Sequence, residues 1–553
     1  MTDSSHVGGA RRWMTLAILA LCTGLLWPRD ASALERLCDP AFEDCRAPLI
    51  DLIDRETVRI DVAFWFMEDA RFSSALVRAR ARGVPIRVLM DTRANEDYPG
   101  NIFCLNQIQS AGIPMREKTS TGILHWKMML FAGQRTVQFS GANYSAEAFV
   151  PEVPWTAYVD EVIYFTDKAS YVNSFMTKFD DVWTTTDGYR NYANVTSIQR
   201  AYGTFAIDPE LNFPPGGFRE RSVALYNDET QRVDSLMYRI TDRAHTDALI
   251  AAAQRGTQVR IITEQLQYRD ESRLWHSWNV DRLWAAGQQR LINGQPAVRI
   301  RLRRHDGLSH EKLTVLANQR LAILGSSNWT SPSSDTQLEH NLFTTDATIY
   351  AWSRDHFERK WNNTGGAPES APFAPLPPDV PTMVSPAPGA INQPLTTTTL
   401  IWSAGPWAHK YDLFVGTDLS NLTKVLDDRE LGPYQQSWTM PALNPGTVYY
   451  WRVVARTMAG LWRSTMTCSF KTTGAGGGTP MTSCLAGPTP PRDPVPVPEP
   501  QDVNLPPTTG GGSGGGSTPG PTNGGGSSVP GLPAVRTPSP DGTFTGQRAV
   551  PRP

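Results

Sequence analysis

The chain repeats itself, and that repeat constrains the fold more than any other feature. "ALVRARARGVPIRVLMD" (75–91) and "ALIAAAQRGTQVRIITE" (248–264) align without a gap. In each copy an apolar stripe at helical spacing runs to a glycine, Gly83 or Gly256. A short apolar run then ends at a carboxylate, Asp91 or Glu264. The pattern predicts a helix, a glycine stop and a strand, twice over. In the first copy Phe72, Leu76 and Ala79 form the stripe and the arginines face outward. Alternating helices and strands predict an α/β sandwich in each half.

Each half then delivers a second common element. "ILHWKMMLFAGQRTVQFSGAN" (123–143) sets His125 and Lys127 two apart in an apolar run, and "LSHEKLTVLANQRLAILGSSN" (308–328) does the same with His310 and Lys312. Residues two apart on a strand share a face, so each pair points one way. A turn follows in both copies, "AGQR" or "ANQR", and then a second apolar run ending in "SGAN" or "GSSN". The separation from His125 to Asn143 is eighteen residues, and from His310 to Asn328 also eighteen. Taken singly, either pair is a solvated strand face with two polar residues. The shared register says that the pair itself is being kept.

Two HxK strands, each followed at fixed distance by a small-residue turn and an asparagine, resemble the phospholipase D superfamily and its HxKxxxxD signature. The resemblance covers roughly residues 34–363. It implies a duplicated phospholipase D-like α/β sandwich with pseudo-two-fold symmetry, whose central strands bring both motifs to one cleft. It also implies His125 as nucleophile and His310 as general acid/base, with the two roles exchangeable. Lys127, Lys312, Asn143 and Asn328 would hold the phosphoryl oxygens without a metal or other cofactor, with Ser326 as a helper. A histidine nucleophile needs a defined tautomer, which a carboxylate on its far nitrogen supplies. "QLEHNLFTTD" offers Glu339, and aligning its "TTD" with the "FTD" of "YVDEVIYFTD" sets Asp160 opposite it, with Glu161 as the alternative. One departure is shared by both halves: the signature aspartate is replaced by Ala132 and Ala317. That departure weakens a lipase-like assignment more than it weakens catalysis, since all four histidines and lysines are kept.

The remaining segments place these halves in a longer plan. Residues 1–33 read as a secretory signal, with Arg11 and Arg12 before the apolar run "WMTLAILALCTGLLW" and "ASA" at 31–33 for cleavage. The mature protein is therefore expected to be exported, extracellular or periplasmic, and monomeric. Export permits disulfides, and the local pairs are Cys38 with Cys45 and Cys468 with Cys484, leaving Cys104 unpaired. The cysteine spacing suits no zinc site. The halves are expected at 34–200 and 201–363, followed by a linker at 364–380. Residues 381–473 resemble a fibronectin type III-like all-β sandwich, in which Trp402, Trp407, Tyr449, Tyr450 and Trp451 are mainly core. A Gly, Ser and Pro-rich tail, 474–553, lacks the apolar residues to fold.

A formal charge of −2 argues against a strongly basic nucleic-acid binder. The alternating arginines of "RIRLRR" (299–304) are read either as cleft lining or as a solvated strand face. His276, His305 and His340 are expected to be structural. The leading expectation is a secreted phosphodiesterase acting on phospholipid headgroups through a phosphohistidine. The alternatives are a secreted nuclease with nucleic acid as substrate, and a catalytically silent protein that contacts a cell surface or polysaccharide through its C-terminal module.

Overall fold

The computed structural model describes residues 35–486. The expected signal segment and most of the expected tail lie outside them. Each half is built on an eight-stranded sheet, and the two sheets have the same strand order position by position. In the first, the motif strand Lys127–Phe131 lies between Thr136–Ser140 and Ile60–Phe64, and Ile86–Met90 and Met115–Lys118 follow in parallel. In the second, Lys312–Leu316 lies between Leu321–Gly325 and Arg232–Met237, followed in parallel by Gln258–Thr263 and Val298–Arg303. Both motif strands are thus central, and every residue in them is buried.

Local chemistry explains why the repeat folds the same way twice. Asp69 and Asp242 cap the helices Ala70–Ala81 and Arg243–Arg255, accepting the N–H groups of Arg71 and Ala244. Gly256 ends the second helix at φ 113°, a left-handed conformation in which a Cβ would be strained. Glu56 accepts the N–H groups of Gly133 and Gln134 in the turn behind the first motif strand, and Glu229 does the same for Asn318 and Gln319. One buried carboxylate per half therefore pins the motif hairpin's register. Across each sheet face, Arg87 binds Asp61 (2.7 Å) and Asp180 (2.8 Å), and Arg260 binds Asp234 (2.7 Å) and Glu358 (2.6 Å). Removing one partner of such a buried pair strands the other charge. Asp61→Ala is expected to cost about 3–5 kcal/mol, read as a lower urea midpoint at unchanged slope.

The halves share a core in which Leu130, Phe139 and Phe175 of the first meet Leu313, Leu324 and Leu342 of the second. They also exchange backbone. Asp306–Ser309 pairs in parallel with Ala157–Asp160, and Leu124 bridges in parallel to Leu338. Both crossovers lie immediately before a motif histidine.

The expected linker is not free chain. Ser370–Pro372 pairs with Arg301–Arg303 as the last strand of the second sheet, and Phe373 joins its core. That segment shows no helix or strand periodicity because three residues are too few to display one. Beyond it, sheets of three and five strands enclose a core containing Trp402, Tyr411, Trp451 and Phe470. This β-rich region rests on the second half, with Trp278 5.0 Å from His409 and the Tyr434 hydroxyl donating to the Glu271 carbonyl at 3.2 Å. The disulfides are Cys38–Cys45 and Cys468–Cys484, and Cys104 is free and buried. The second disulfide extends the ordered chain past the expected boundary at 473. Among the described residues no helix is long and apolar enough to cross a membrane.

Candidate active site

The crossovers decide the site. The backbone N–H of His125 donates to the Leu338 carbonyl (2.9 Å), which brings the next residue, Glu339, onto the histidine ring: Glu339 Oε2 lies 2.7 Å from His125 Nδ1. The N–H of His310 donates to the Asp160 carbonyl (3.1 Å), and the next residue, Glu161, meets His310 Nδ1 in a short contact. Each histidine is therefore oriented by a carboxylate from the opposite half. In both rings the carboxylate engages Nδ1, so chemistry falls to Nε2, which in His310 also meets Lys312 Nζ at 3.0 Å.

This arrangement corrects the expectation for Asp160. The backbone of Asp160 positions His310, but its side chain points to the other side of the strand, where Lys360 Nζ lies 2.6 Å away. Alternation along the strand gives Glu161 the cleft side and Asp160 the interior. The alignment that set Asp160 opposite Glu339 was one residue out, because the insertion "EAFVPEVPWTA" hid the register.

The carboxylates that end the repeated helix–strand unit, Asp91 and Glu264, also reach the motifs. Asp91 accepts the N–H of Leu124 at 3.2 Å and Glu264 that of Ser309 at 2.6 Å, in each case the residue just before the histidine. Trp126 donates its indole N–H to the Glu339 carbonyl at 2.8 Å. Glu311, the matching middle residue of the second motif, meets His356 Nε2 at 2.9 Å.

Lys127 donates to the His125 carbonyl at 2.9 Å. Lys312 Nζ lies 3.0 Å from His310 Nε2 and also contacts the His310 carbonyl. Asn328 is fully buried, yet neither its amide oxygen nor its nitrogen has a protein partner; the amide oxygen of Asn143 is in the same state. Buried polar atoms without partners are rare, and beside two lysines they mark the place of a polar ligand. Ser326, expected to help hold phosphate, instead donates its hydroxyl to Glu339 Oε2. The difference arises because Ser326 and Glu339 face each other on adjoining strand ends. In the first half this position is Gly141, where a Cβ would fall 2.7 Å from Glu161.

Electrostatics separate the groups further. Burial pushes Glu339 up to about 8, with Lys127 pulling it back. Burial likewise pushes Glu161 up to about 8 against the pull of Lys312 and Lys127. His310 is driven well below the ordinary imidazole range by burial, then by Lys312 and Lys127. Burial thus holds both orienting carboxyls well above the ordinary carboxylate range, while His310 is held below the ordinary imidazole range.

Reading the sequence missed Tyr238. Its ring centroid lies 4.8 Å from that of His310 and 5.2 Å from Lys312 Nζ, and its hydroxyl accepts from the Gln267 amide at 2.8 Å. The repeat carried the signal: "DVAFWF" against "DSLMYR" sets Tyr238 opposite Trp65, just past the inner strand of each half. The "RIRLRR" arginines serve the fold. Arg301 bonds Ser370 at 2.9 Å, and Arg303 bonds Glu264 at 2.9 Å. His276 and His340 accept the N–H groups of Ile240 and Lys127. His305 stacks on Tyr158 at 3.8 Å.

Asp160, Glu311 and His356 also bring possible metal ligands within 4.8 Å of one another. The donor set does not fit a cation. His356 has Asp39 at 2.8 Å on Nδ1 and Glu311 at 2.9 Å on Nε2. Burial opposes charge on His356, but Glu311 and Asp39 outweigh it and raise its pKa. With both nitrogens carrying protons and Lys360 already on Asp160, no lone pair of His356 is left for a metal.

Neither missing signature aspartate belongs near this chemistry. Ala132 and Ala317 follow the far ends of the motif strands, about 16 Å from their lysines at the rise of an extended chain. Their N–H groups donate to the carbonyls of Arg59 (3.0 Å) and Arg232 (2.9 Å), and the Ala317 carbonyl accepts the Tyr350 hydroxyl at 3.5 Å.

Two histidine–lysine strands converge across a duplicated α/β core, so the candidate site is made by both halves. Residues 49–183 and 225–361 each match the family described as "Cardiolipin synthase, PLD-like domain", one match in each half. No curated protein matches the chain. Similar solved structures include polyphosphate kinase from Porphyromonas gingivalis, at 13% identity and TM-score 0.41, covering 59% of this chain and 50% of the kinase. This chain thus spans half the length of that relative. Also similar are the phospholipase D family member Nuc from Salmonella typhimurium (15% identity, TM-score 0.25, 30% of this chain and 99% of that one) and NucT from Helicobacter pylori (16%, 0.23, 30% and 97%).

Proposed function

We propose that the protein is a phosphodiesterase of the phospholipase D type that cleaves phospholipid headgroups through a phosphohistidine. The observation that carries this reading is the pairing of His125 with Glu339 and His310 with Glu161 beside two buried asparagines whose amide oxygens lack protein partners. In the proposed reaction His125 Nε2 attacks phosphorus and the bond to the headgroup oxygen breaks. His310 gives its Nε2 proton to that oxygen as Glu161 passes its own proton to Nδ1, and the headgroup leaves as the alcohol. His310 then takes a proton from water, the resulting hydroxide attacks phosphorus, and the phosphorus–nitrogen bond breaks to release phosphatidic acid and free His125. Lys127, Lys312, Asn143 and Asn328 hold the non-bridging oxygens while charge develops on them.

The lipid reading is supported by the family description and by the formal charge of −2, which supplies no strong field for a nucleic-acid backbone. Export is supported by the two disulfides, which persist in oxidising compartments. The two-sheet β region is consistent with a fibronectin type III-like module acting as a spacer or attachment domain.

The test offers phosphatidylcholine vesicles and single-stranded DNA separately to the mature protein in EDTA. Choline release that disappears in His125→Ala is the expected result. DNA cleavage with the same dependence would replace phospholipid by nucleic acid. Activity surviving in His125→Ala would overturn the mechanism.

A further inference from the structure

The duplication places an equivalent helix on each side of the cleft. In the first half Asn101, near the start of Pro99–Ser110, accepts the Met67 N–H at 2.9 Å, and Met67 bridges to Tyr144, the neighbour of Asn143. In the second half His276, near the start of Leu274–Gln288, accepts the Ile240 N–H at 3.0 Å, and Ile240 bridges to Trp329, the neighbour of Asn328. One hydrogen bond and one β-bridge therefore tie the first turn of each helix to the ligand-side asparagine of its own half. These turns form the two lips of the catalytic end.

Large apolar side chains stand in solvent on both lips. Ile102 is 43% exposed and Phe103 59%; across the cleft Trp275 is 55% exposed. Leu266, 38% exposed, lies two residues beyond Glu264, whose carboxylate holds Ser309. The register that matches Asn101 with His276 also matches Phe103 with Trp278. Trp278 is only 6% exposed, and the His409 ring of the β-rich region lies against it. An apolar residue thus occupies this helical position in both halves, covered in one and bare in the other.

We propose that Ile102, Phe103, Leu266 and Trp275 form a rim that docks on a zwitterionic phospholipid surface, presenting the headgroup phosphate to the cleft. This rests on the phospholipid reading above. Charge selects the occupant. Arg93 stands with Glu96 and Asp97 on one lip, and Arg269 with Asp270 and Glu271 on the other. Lips of mixed sign lack the single-sign field that a nucleic acid or a strongly anionic bilayer demands. Aromatic and aliphatic tips between balanced charges suit the boundary between headgroups and acyl chains.

The test uses the mature full chain, wild type and the double variant Phe103→Glu/Trp275→Ser, with two forms of one lipid. These are phosphatidylcholine vesicles and a short-chain phosphatidylcholine below its micelle threshold. The double variant is expected to hydrolyse the monomeric lipid at the wild-type rate. On vesicles it should lose at least about tenfold in rate and in sedimentation with the lipid. Phe103→Leu, which keeps the apolar tip, should retain both. Vesicle binding and hydrolysis unchanged in the double variant would overturn the rim. A wild-type protein unable to cleave monomeric phosphatidylcholine would sink the phospholipid reading instead. Its sedimentation with vesicles, lost or kept in the double variant, would then still support or overturn the rim.

Discussion

His125→Ala is expected to abolish turnover, a loss of at least about 10⁴-fold, while His310→Ala leaves the first chemical step partly alive. The difference follows from what each ring does. Without His125 no nitrogen attacks phosphorus, and a water held by the lysines is a far weaker nucleophile than a buried imidazole oriented by Glu339 at 2.7 Å. Without His310 attack continues wherever the leaving group needs no proton. An activated aryl phosphodiester should therefore release its phenol in one burst equal to the enzyme present, after which the phosphoenzyme persists because no base activates water. Acid-labile, base-stable label trapped on His310→Ala and absent from His125→Ala would establish these roles. The opposite pattern would exchange them.

Glu339→Gln and Glu161→Gln are each expected to lower kcat/KM by about 10²–10⁴, and to move opposite limbs of the pH profile. The nucleophilic pair must lose its extra proton before Nε2 of His125 is free to attack, so its activity is gained as pH rises through about 8, where burial places Glu339. The acid pair must keep its extra proton for the leaving group, so its activity is lost as pH rises through about 8, where burial places Glu161. The wild-type profile should be a narrow bell near that value. Glu339→Gln removes the carboxyl that titrates there, which moves the acid limb to lower pH and leaves the alkaline limb in place. Glu161→Gln moves the alkaline limb to lower pH instead. Asp160→Asn, which removes the ion pair with Lys360 and a minor part of what raises Glu161, should lower stability and move the alkaline limb far less than Glu161→Gln does. A limb that shifts in Asp160→Asn and stays fixed in Glu161→Gln would return the orienting role to Asp160.

Residues that recur at the same offset in the two halves were legible without coordinates. The helix, the glycine stop, the strand and the paired HxK motifs each leave a periodic trace, because backbone geometry repeats every 3.6 or every 2 residues. The central position of both motif strands follows from that trace and is what the sheets show. The alanines at 132 and 317 were visible as a departure, and their distance from the lysines follows from strand rise alone. Segments without period were not legible. Ser370–Pro372 completes a sheet with three residues, and the β-rich region runs past the expected boundary at 473 to Cys484, although the Cys468–Cys484 pair itself was legible.

The sequence by itself determined which groups the two motif strands present together, since a histidine and a lysine two apart on an apolar strand must share a face and the repeat must supply them twice. Tertiary structure alone decided which carboxylate serves which histidine. Glu339 reaches His125 and Glu161 reaches His310 only because Leu124 bridges to Leu338 and Ser309 pairs with Asp160 across the two halves. Pairing between distant segments is set by hydrogen bonds that close only in the assembled fold, and a shift of one residue there turns every side chain to the other face. That single-residue register separates Glu161, which faces the cleft, from Asp160, which is buried against Lys360.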